Sequence, residues 1–116
     1  MLRMFTICIP YIGTITADKT FDFKLPCDAQ LVGVSAICET NDAAIKVGTA
    51  DDDDDAYVDA TDGAITAGTV TLLDAPGDFI GDQYPHLSKD TAYVVTCDHT
   101  GSNPTDWMAI LYFTEG

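Results

Sequence analysis

Apolar and polar residues alternate with a period of two along most of this chain, as they do in half-buried β-strands. In TFDFKL, for example, Phe21, Phe23 and Leu25 alternate with Asp22 and Lys24. Six further segments have the composition of strands, two of them (QLVGVSAIC and WMAILYF) apolar in both phases: MFTICIPYIGTIT, QLVGVSAIC, AAIKVG, GTVTLL, TAYVVTCD and WMAILYF. No window of eleven residues carries the 3.6-residue stripe of an amphipathic helix. The pattern therefore predicts seven or eight short strands and no long helix.

Turn-forming residues separate these apolar segments. HTGSNPT lies between the last two, and DAPGDFIGDQYPHLSKD contains two prolines and two glycines. Many short strands joined by such turns are typical of all-β proteins. We predict an antiparallel β-sandwich, jelly-roll-like, in one domain over residues 1–116. An immunoglobulin-like topology is the alternative, because the pattern does not fix the order of the strands.

Local features refine this prediction. Pro10 cannot donate a ladder hydrogen bond, so the first strand should lie at a sheet edge or carry a bulge. QLVGVSAIC is apolar in both phases and should be buried on both faces. Val70 and Leu72 should share one face of their strand, and AYVDAT could form one helical turn capped by an aspartate.

Two strands, the first strand of the chain and WMAILYF, have apolar residues on both faces. In WMAILYF, Trp107 and Leu111 share one face, whereas Met108 and Ile110 share the other. Such a strand is either central and covered or lies at a subunit contact, and we favour the contact. Symmetric assemblies are the default for such surfaces, and we expect a homotrimer. The predicted interface residues are Phe5, Ile7, Ile9, Trp107, Met108, Ile110 and Tyr112.

The net charge limits the partners. The chain has 19 acidic residues and five Lys plus Arg, for a formal net charge of −14. Proteins bind nucleic acid by neutralising phosphates with Lys and Arg, and this surface would repel both nucleic acid and anionic membranes. We therefore expect neither as a partner, and cationic partners are favoured. No apolar run reaches the 18 or so residues of a membrane-spanning helix.

Residues 1–15 are expected to form an N-terminal strand or arm that contacts neighbouring subunits. The segment MLRMFTICIPYIGTITAD faintly imitates a signal peptide, with one positive charge, an apolar stretch and a small residue before Asp18. Thr6, Pro10 and Thr14 interrupt the apolar stretch, which favours a strand. We therefore expect a protein that is made and kept in the cytoplasm of the producing cell.

The run KVGTADDDDDAYVDATDG can be aligned with a twelve-residue calcium loop. In that register the candidate ligands are Asp51, Asp53, Asp55, Asp59 and Asp62. However, Ala56 stands where such a loop needs glycine, Asp62 replaces the bidentate glutamate, and strands rather than helices flank the run. The favoured interpretation is a solvated turn that like charges push outward, with weak Ca²⁺ binding as the alternative. No other cofactor is expected.

The cysteines and histidines do not predict catalysis. None of Cys8, Cys27, Cys38 and Cys97 forms a C-x-x-C pair, so free, buried thiols are expected rather than a zinc site. Cys97 and His99 share a strand face, which permits a thiolate–imidazole pair, but nothing in the sequence indicates an oxyanion hole or a pocket. We predict no catalytic residues and no enzyme activity.

Aromatic residues offer one other possible binding surface. Tyr57, Tyr84, Tyr93, Tyr112 and Trp107 could line a sugar groove, although Tyr93 and Trp107 lie in strands and are more typical of a core. His86 lies in a loop after a proline, with no second histidine near it in the sequence.

The segment IKVGTADDDDDAYVDAT, followed by GTVTLLD and MAILYFTEG, resembles a pattern in small bacteriophage virion proteins. The resemblance covers residues 30–116. It implies a small β-sandwich on the phage particle, namely a capsid decoration (cement) protein. Such a protein would be assembled in the host cytoplasm, sit on the capsid exterior as a homotrimer, contact the major capsid protein and stabilise the head by bridging capsomers. Candidate docking segments are residues 1–5 and 78–89.

The sequence is also compatible with two other functions. One is a head- or tail-fibre binding module that recognises a host surface glycan, with or without calcium; exposed aromatic side chains at loop tips would favour it. The other is a small enzyme that uses Cys97 and His99. That enzyme would need a pocket and would lose its activity when the thiols are alkylated.

Overall fold

The computed structural model describes residues 3–116, which contain nine β-strands and one short 3-10 helix, Pro76–Asp78. The strands are β1 (Met4–Thr14), β2 (Lys19–Phe23), β3 (Ala29–Ile37), β4 (Ala43–Gly48), β5 (Ala64–Ile65), β6 (Thr71–Leu73), β7 (His86–Leu87), β8 (Tyr93–His99) and β9 (Thr105–Glu115). Within these residues no helix has the length and apolar character that a membrane span requires.

The strands form two antiparallel sheets that pack face to face. Sheet A has the order β1-β9-β3-β6, with β7 also paired to β3, and sheet B has the order β2-β8-β4-β5. The pairing is nested, because β1 pairs with β9, β2 with β8, β3 with β6 and β4 with β5. This is the strand order of a jelly roll rather than of an immunoglobulin fold. The predicted antiparallel β-sandwich is confirmed.

The inner faces of the two sheets make one core. β9 contributes every second residue to it, including Trp107, Leu111 and Phe113, all fully buried. Sheet B supplies Ile45 from β4, as its alternation predicts, and Val95 from β8. The core is rich in aromatic contacts, and the rings of Phe21 and Trp107 stack with centroids 5.9 Å apart.

Strand β1 is an edge strand of sheet A, and it also departs from regular pairing. Its register with β9 is continuous from Met4 to Tyr11 and shifts between Tyr11 and Thr14. Pro10 pairs with Met108 at the edge, where its missing N–H removes no bond to a further strand. The edge position fits the expectation from Pro10, whereas the register shift lies beyond Tyr11 and not at Pro10. Met1 and Leu2, part of the predicted N-terminal arm, lie outside the described residues.

The prediction for β3 needs correction. A register shift between Leu31 and Gly33 inserts one residue into the strand, so Val34 and Ala36 point inward together with Leu31. The outward-facing Ile37 is only half-buried rather than covered. Only the inward face of the strand is therefore fully buried. Nothing in the described residues packs over its outward face.

The predicted helical turn in AYVDAT is also displaced. The turn lies at residues 59–63, where the Gly63 N–H donates to the Asp59 carbonyl at 2.9 Å. The Asp59 carboxylate accepts the Asp62 N–H at 2.9 Å, as an N-cap aspartate does. An aspartate does cap one turn, but the turn starts three residues later because Tyr57 and Val58 bond to Val47 of β4 instead.

Candidate functional site

The outward face of sheet A is a continuous apolar surface, which we call the open face. It consists of Met4, Cys8, Pro10, Ile12, Ile37, Val70, Leu72, Met108, Ile110 and Tyr112. Residues 3–116 contain six exposed large apolar side chains, and five of them belong to this face. Monomeric proteins rarely leave a patch of this kind in water, so the open face is a candidate interaction surface.

The strand register builds the open face in rows. Pro10, Met108 and Ile37 are cross-strand neighbours in one row. Cys8 and Ile110 lie in the next row, which continues through Ser35 to Leu72. The four strands lie about 4.8 Å apart and have a mean length of roughly eight residues, β6 being much the shortest, which gives a footprint of about 500 Å². These two rows contain no charged side chain, although the chain has a net charge of −14, and Asp106 borders the face beside Pro10, Ile12 and Met108.

One hydrogen bond between uncharged side chains joins two neighbouring strands of the open face. The hydroxyl groups of Ser35 on β3 and Tyr112 on β9 lie 3.1 Å apart and share a hydrogen bond. A groove of about 140 Å³ runs between Ile37, Val70, Met108 and Ile110. The face is therefore a shallow sheet surface and not a deep pocket.

The structure separates the seven predicted interface residues into two groups. Met108, Ile110 and Tyr112 lie on the open face. Trp107 and Ile9 are core residues, which corrects their assignment, since a buried side chain offers no surface to a partner. Phe5 and Ile7 also point inward and are half-buried against the core. Both faces of β9 are apolar, so the sequence could not tell the core face from the open one.

The aspartate run lies across the outer surface of sheet B. Lys46 of β4 pairs with Asp54 at 3.1 Å, and both side chains are mostly buried. Gly48 allows this approach, because a Cβ at this position would overlap the Asp53 carbonyl and lie 2.6 Å from the Asp54 Cα. The Thr49 N–H also donates to the Asp53 carbonyl at 3.0 Å. The run is therefore a folded turn tied to its sheet.

The five candidate calcium ligands do not converge. Asp51, Asp53, Asp55 and Asp62 are exposed, and the Asp59 carboxylate caps the turn at residues 59–63. Within residues 3–116 no group of three or more histidine, cysteine or acidic side chains is placed to hold a metal ion. The run is a turn as expected, but it folds onto sheet B through the Lys46–Asp54 pair and is not pushed outward by its like charges.

A carboxylate pair lies beside the lysine. Asp98 of β8 hydrogen-bonds to Asp18, whose carboxylate also accepts the His99 N–H at 2.7 Å. Burial raises the pKa of Asp98, and the hydrogen bond with Asp18 raises it further, against the opposing charge of Lys46. Desolvation lowers the pKa of Lys46, but its contacts with Asp54 outweigh this and leave it raised. The ammonium group therefore stays charged among the carboxylates.

Cys97 and His99 do not form a reactive pair. The Cys97 thiol lies in the core, where burial raises its pKa to about 12. The His99 Nε2 atom is instead 2.6 Å from the Asn103 carboxamide oxygen. A thiol needs to ionise to act as a nucleophile, and this one stays protonated at neutral pH. Cys38 is likewise buried, whereas Cys8 is exposed on the open face.

A cleft of about 590 Å³ opens between the segments at residues 56–57 and 76–86. Tyr57, Tyr84 and Ile80 supply its apolar walls, and Gln30 and His86 lie next to each other at the point where β7 pairs with β3. The sequence identified both tyrosines as possible groove residues, and Tyr93 and Trp107 are core residues as expected. The sequence did not indicate that Gln30 lies in this cleft. Its partner strand β7 is only two residues long and shows no strand pattern.

No protein-family model and no curated protein sequence matches this chain. One solved structure with a similar fold is a chain of the cyanophage Pam1 capsid asymmetric unit. The two chains are 17% identical, and the alignment covers 99% of this chain and 85% of that chain with a TM-score of 0.57. At this identity the likeness is one of fold.

Proposed function

We propose that this chain is a non-enzymatic structural protein of a bacteriophage particle, a capsid decoration (cement) protein on the outside of the head. The observation that carries the proposal is the open face, an uncharged apolar surface on an otherwise acidic jelly roll. The fold similarity to a chain of the cyanophage Pam1 capsid asymmetric unit supports it. So does the resemblance of residues 30–116 to small virion proteins.

The proposed occupant of the open face is a second copy of this chain, within a homotrimer. Each copy carries a net charge of −14, so two copies repel each other wherever carboxylates meet. The open face lets copies approach over uncharged side chains. A footprint of about 500 Å² on each of three copies removes roughly 1,500 Å² from water in a closed trimer, or about 500 Å² for each of its three contacts, so contacts with the shell must add to the buried area.

The proposed second partner is the major capsid protein. An acidic surface is suited to a basic strip on the shell, and electrostatic complementarity of this kind sets orientation and association rate. A trimer that contacts several capsomers at once gains strength from multivalency, because the second and third contacts form at high effective concentration. The head would then be stabilised by added contact area, with no bond made or broken.

Imaging of intact particles tests this proposal. Cryo-electron microscopy of particles from the phage that encodes the chain should show density repeating over the head lattice. A gold-labelled antibody against the chain should bind at the same positions. Particles from a phage that lacks the coding sequence should lose that density and release their DNA at a lower temperature. Label confined to the tail, or absent from particles, would reject the proposal.

A further inference from the structure

The cleft between residues 56–57 and 76–86 adjoins the open face, because Gln30 and His86 lie in the row of sheet A that continues through Thr114 to Met4. It has the composition of a ligand site. Its volume of about 590 Å³ falls within the range of small-molecule sites, roughly 300–1,000 Å³. Tyr57 and Tyr84 contribute aromatic surface, and Gln30, Gln83 and His86 contribute polar groups. Apolar walls with a few converging polar groups are what binding sites share.

The aromatic walls are held in place by the protein itself. The Tyr57 ring packs against Tyr93, with centroids 6.3 Å apart, and the Tyr84 ring meets the edge of Phe79 at 5.8 Å. The Tyr84 hydroxyl donates to the Asp74 carbonyl at 2.9 Å. The Ile80 N–H donates to the Tyr57 carbonyl at 3.0 Å and so joins the two segments. A ligand that stacks on these rings would cost little conformational entropy.

The polar groups of the cleft are free to bond a ligand. In the part of the chain that the structure describes, the side chains of Gln30, Asp82, Gln83 and His86 make no hydrogen bond to protein, unlike the Tyr84 hydroxyl beside them. Two carboxamides, a carboxylate and an imidazole can together donate to and accept from neighbouring hydroxyl groups. Such a set is suited to a ligand that carries many hydroxyls.

The charge of the site narrows the ligand class. No lysine or arginine lines the cleft, Asp82 is one of its lining residues, and the chain as a whole carries a net charge of −14. Phosphorylated or carboxylated ligands would be repelled. An aromatic, carboxamide-rich and anion-repelling cleft fits an uncharged sugar, whose C–H faces pack on tyrosine and whose hydroxyls bond the amides. We propose that this cleft binds a neutral saccharide.

This inference does not depend on the position of the protein on a phage particle, so the two proposals can fail separately. Its test is isothermal titration calorimetry of the intact protein with a panel of neutral oligosaccharides of glucose, galactose, mannose and N-acetylglucosamine. Sialyllactose and a galacturonic acid oligomer serve as acidic probes. We expect saturable binding of at least one neutral sugar and at least tenfold weaker binding of both acidic ones.

Variants locate the site. Tyr57→Ala should weaken binding at least tenfold, and Gln83→Ala and His86→Ala each about threefold to tenfold. His99→Ala is the matched control for His86→Ala, because His99 lies outside the cleft, and should bind like the wild type. Tyr57 packs against Tyr93, so Tyr57→Ala carries a risk to folding, whereas Gln83 and His86 are exposed and their variants should fold.

Each outcome decides for or against the proposal. Binding of a neutral sugar that falls in the Gln83 and His86 variants and persists in His99→Ala supports it. An absence of saturable binding across the neutral panel overturns it, and so does a preference for the acidic probes. Neutral-sugar binding that no cleft variant changes would assign the sugar to another surface and would also overturn it.

Discussion

The Lys46 Nζ atom lies 3.1 Å from the Asp54 carboxylate, so the aspartate run folds back onto the strand that precedes it. Seven residues lie between Lys46 and Asp54, and the two side chains meet on the outer surface of sheet B, shielded from much of the solvent. The most acidic segment of the chain is thus part of the packed structure. Its conformation depends on the close approach at Gly48 as much as on charge.

We expect Gly48→Ala to destabilise the protein by about 2 kcal/mol or more, because the added Cβ would overlap backbone atoms that no side-chain rotation can move. Gly77→Ala is the matched control: a Cβ there meets nothing within 4 Å, and its effect should stay within about 1 kcal/mol. Urea unfolding at pH 7 measures both. Equal stability of the two variants would show that the run does not pack on Gly48.

The second prediction concerns calcium. Asp54 is paired with Lys46 and Asp59 caps a turn, so these carboxylates are engaged already. We expect millimolar Ca²⁺ to leave the unfolding temperature unchanged relative to EDTA, since a native-state ligand would raise it by mass action. A rise in the unfolding temperature that Asp51→Asn and Asp53→Asn abolish would instead establish a metal site in the run.

Asp98 should make stability depend on pH. Burial first, and then the hydrogen bond with Asp18, raise the pKa of Asp98 above its ordinary value of 3.8, so the folded protein holds this proton more tightly than the unfolded chain does. The stabilisation is therefore complete below pH 3.8 and is lost as pH rises through the folded pKa. Asp98→Asn stays neutral at every pH, and we expect it to be more stable than the wild type at pH 7.

Thermal unfolding between pH 4 and pH 7 tests this, and the advantage of Asp98→Asn should shrink toward pH 4. Asp22→Asn, at an exposed outward position of β2, is the control and should show no such trend. A difference between Asp98→Asn and the wild type that is the same at every pH would rule out titration of Asp98 as its cause.

The buried thiols should be unreactive in the folded protein. Burial raises the pKa of Cys38, and the pKa of Cys97 reaches about 12. In a variant with Cys8→Ser and Cys27→Ser, only these two thiols remain, and we expect no reaction with an aromatic disulfide reagent at pH 8 until guanidinium unfolds the protein. Rapid reaction in the native state would contradict the burial of Cys97 and revive the thiol–imidazole hypothesis.

The open face should set the oligomeric state. We expect sedimentation velocity to give a trimer for the wild type and a monomer for Leu72→Asp, which puts charge into the uncharged rows. Ile80→Asp is the matched control, because Ile80 is 44% exposed against 56% for Leu72 but lies off the face, and it should remain trimeric. Cys8 on the open face should also be alkylated faster in Leu72→Asp. A monomeric wild type would reject the trimer.

Much of the sandwich was predictable because a strand with one polar and one apolar face indicates which face points toward the core. Phe21 and Phe23 on β2, and Ile45 and Val47 on β4, point inward as their alternation predicts. The pattern failed where both phases are apolar. In β3 the inserted residue before Gly33 reverses the phase without a change in composition, and in β9 neither face is polar.

The pairing of strands that are distant in the chain could not be predicted from the sequence, for a different reason. Gln30 and His86 become neighbours only through the short contact of β3 with β7, and two residues are too few to show a strand period. The tyrosines of the cleft were recognisable as aromatic loop residues, but not as two walls of one site. The nested strand order likewise depends on which sheet edges meet, and local alternation carries no information about that.

The pairing of β1 with β9 has a kinetic consequence. During synthesis the first strand emerges from the ribosome before its partner exists, and roughly 90 residues must follow before Thr105 is made. At about 5–20 residues per second this delay lasts several seconds. Through that interval Phe5, Ile7 and Ile9 have no sheet to join, so sheet A is completed late and the nascent chain is most vulnerable to aggregation at its own beginning.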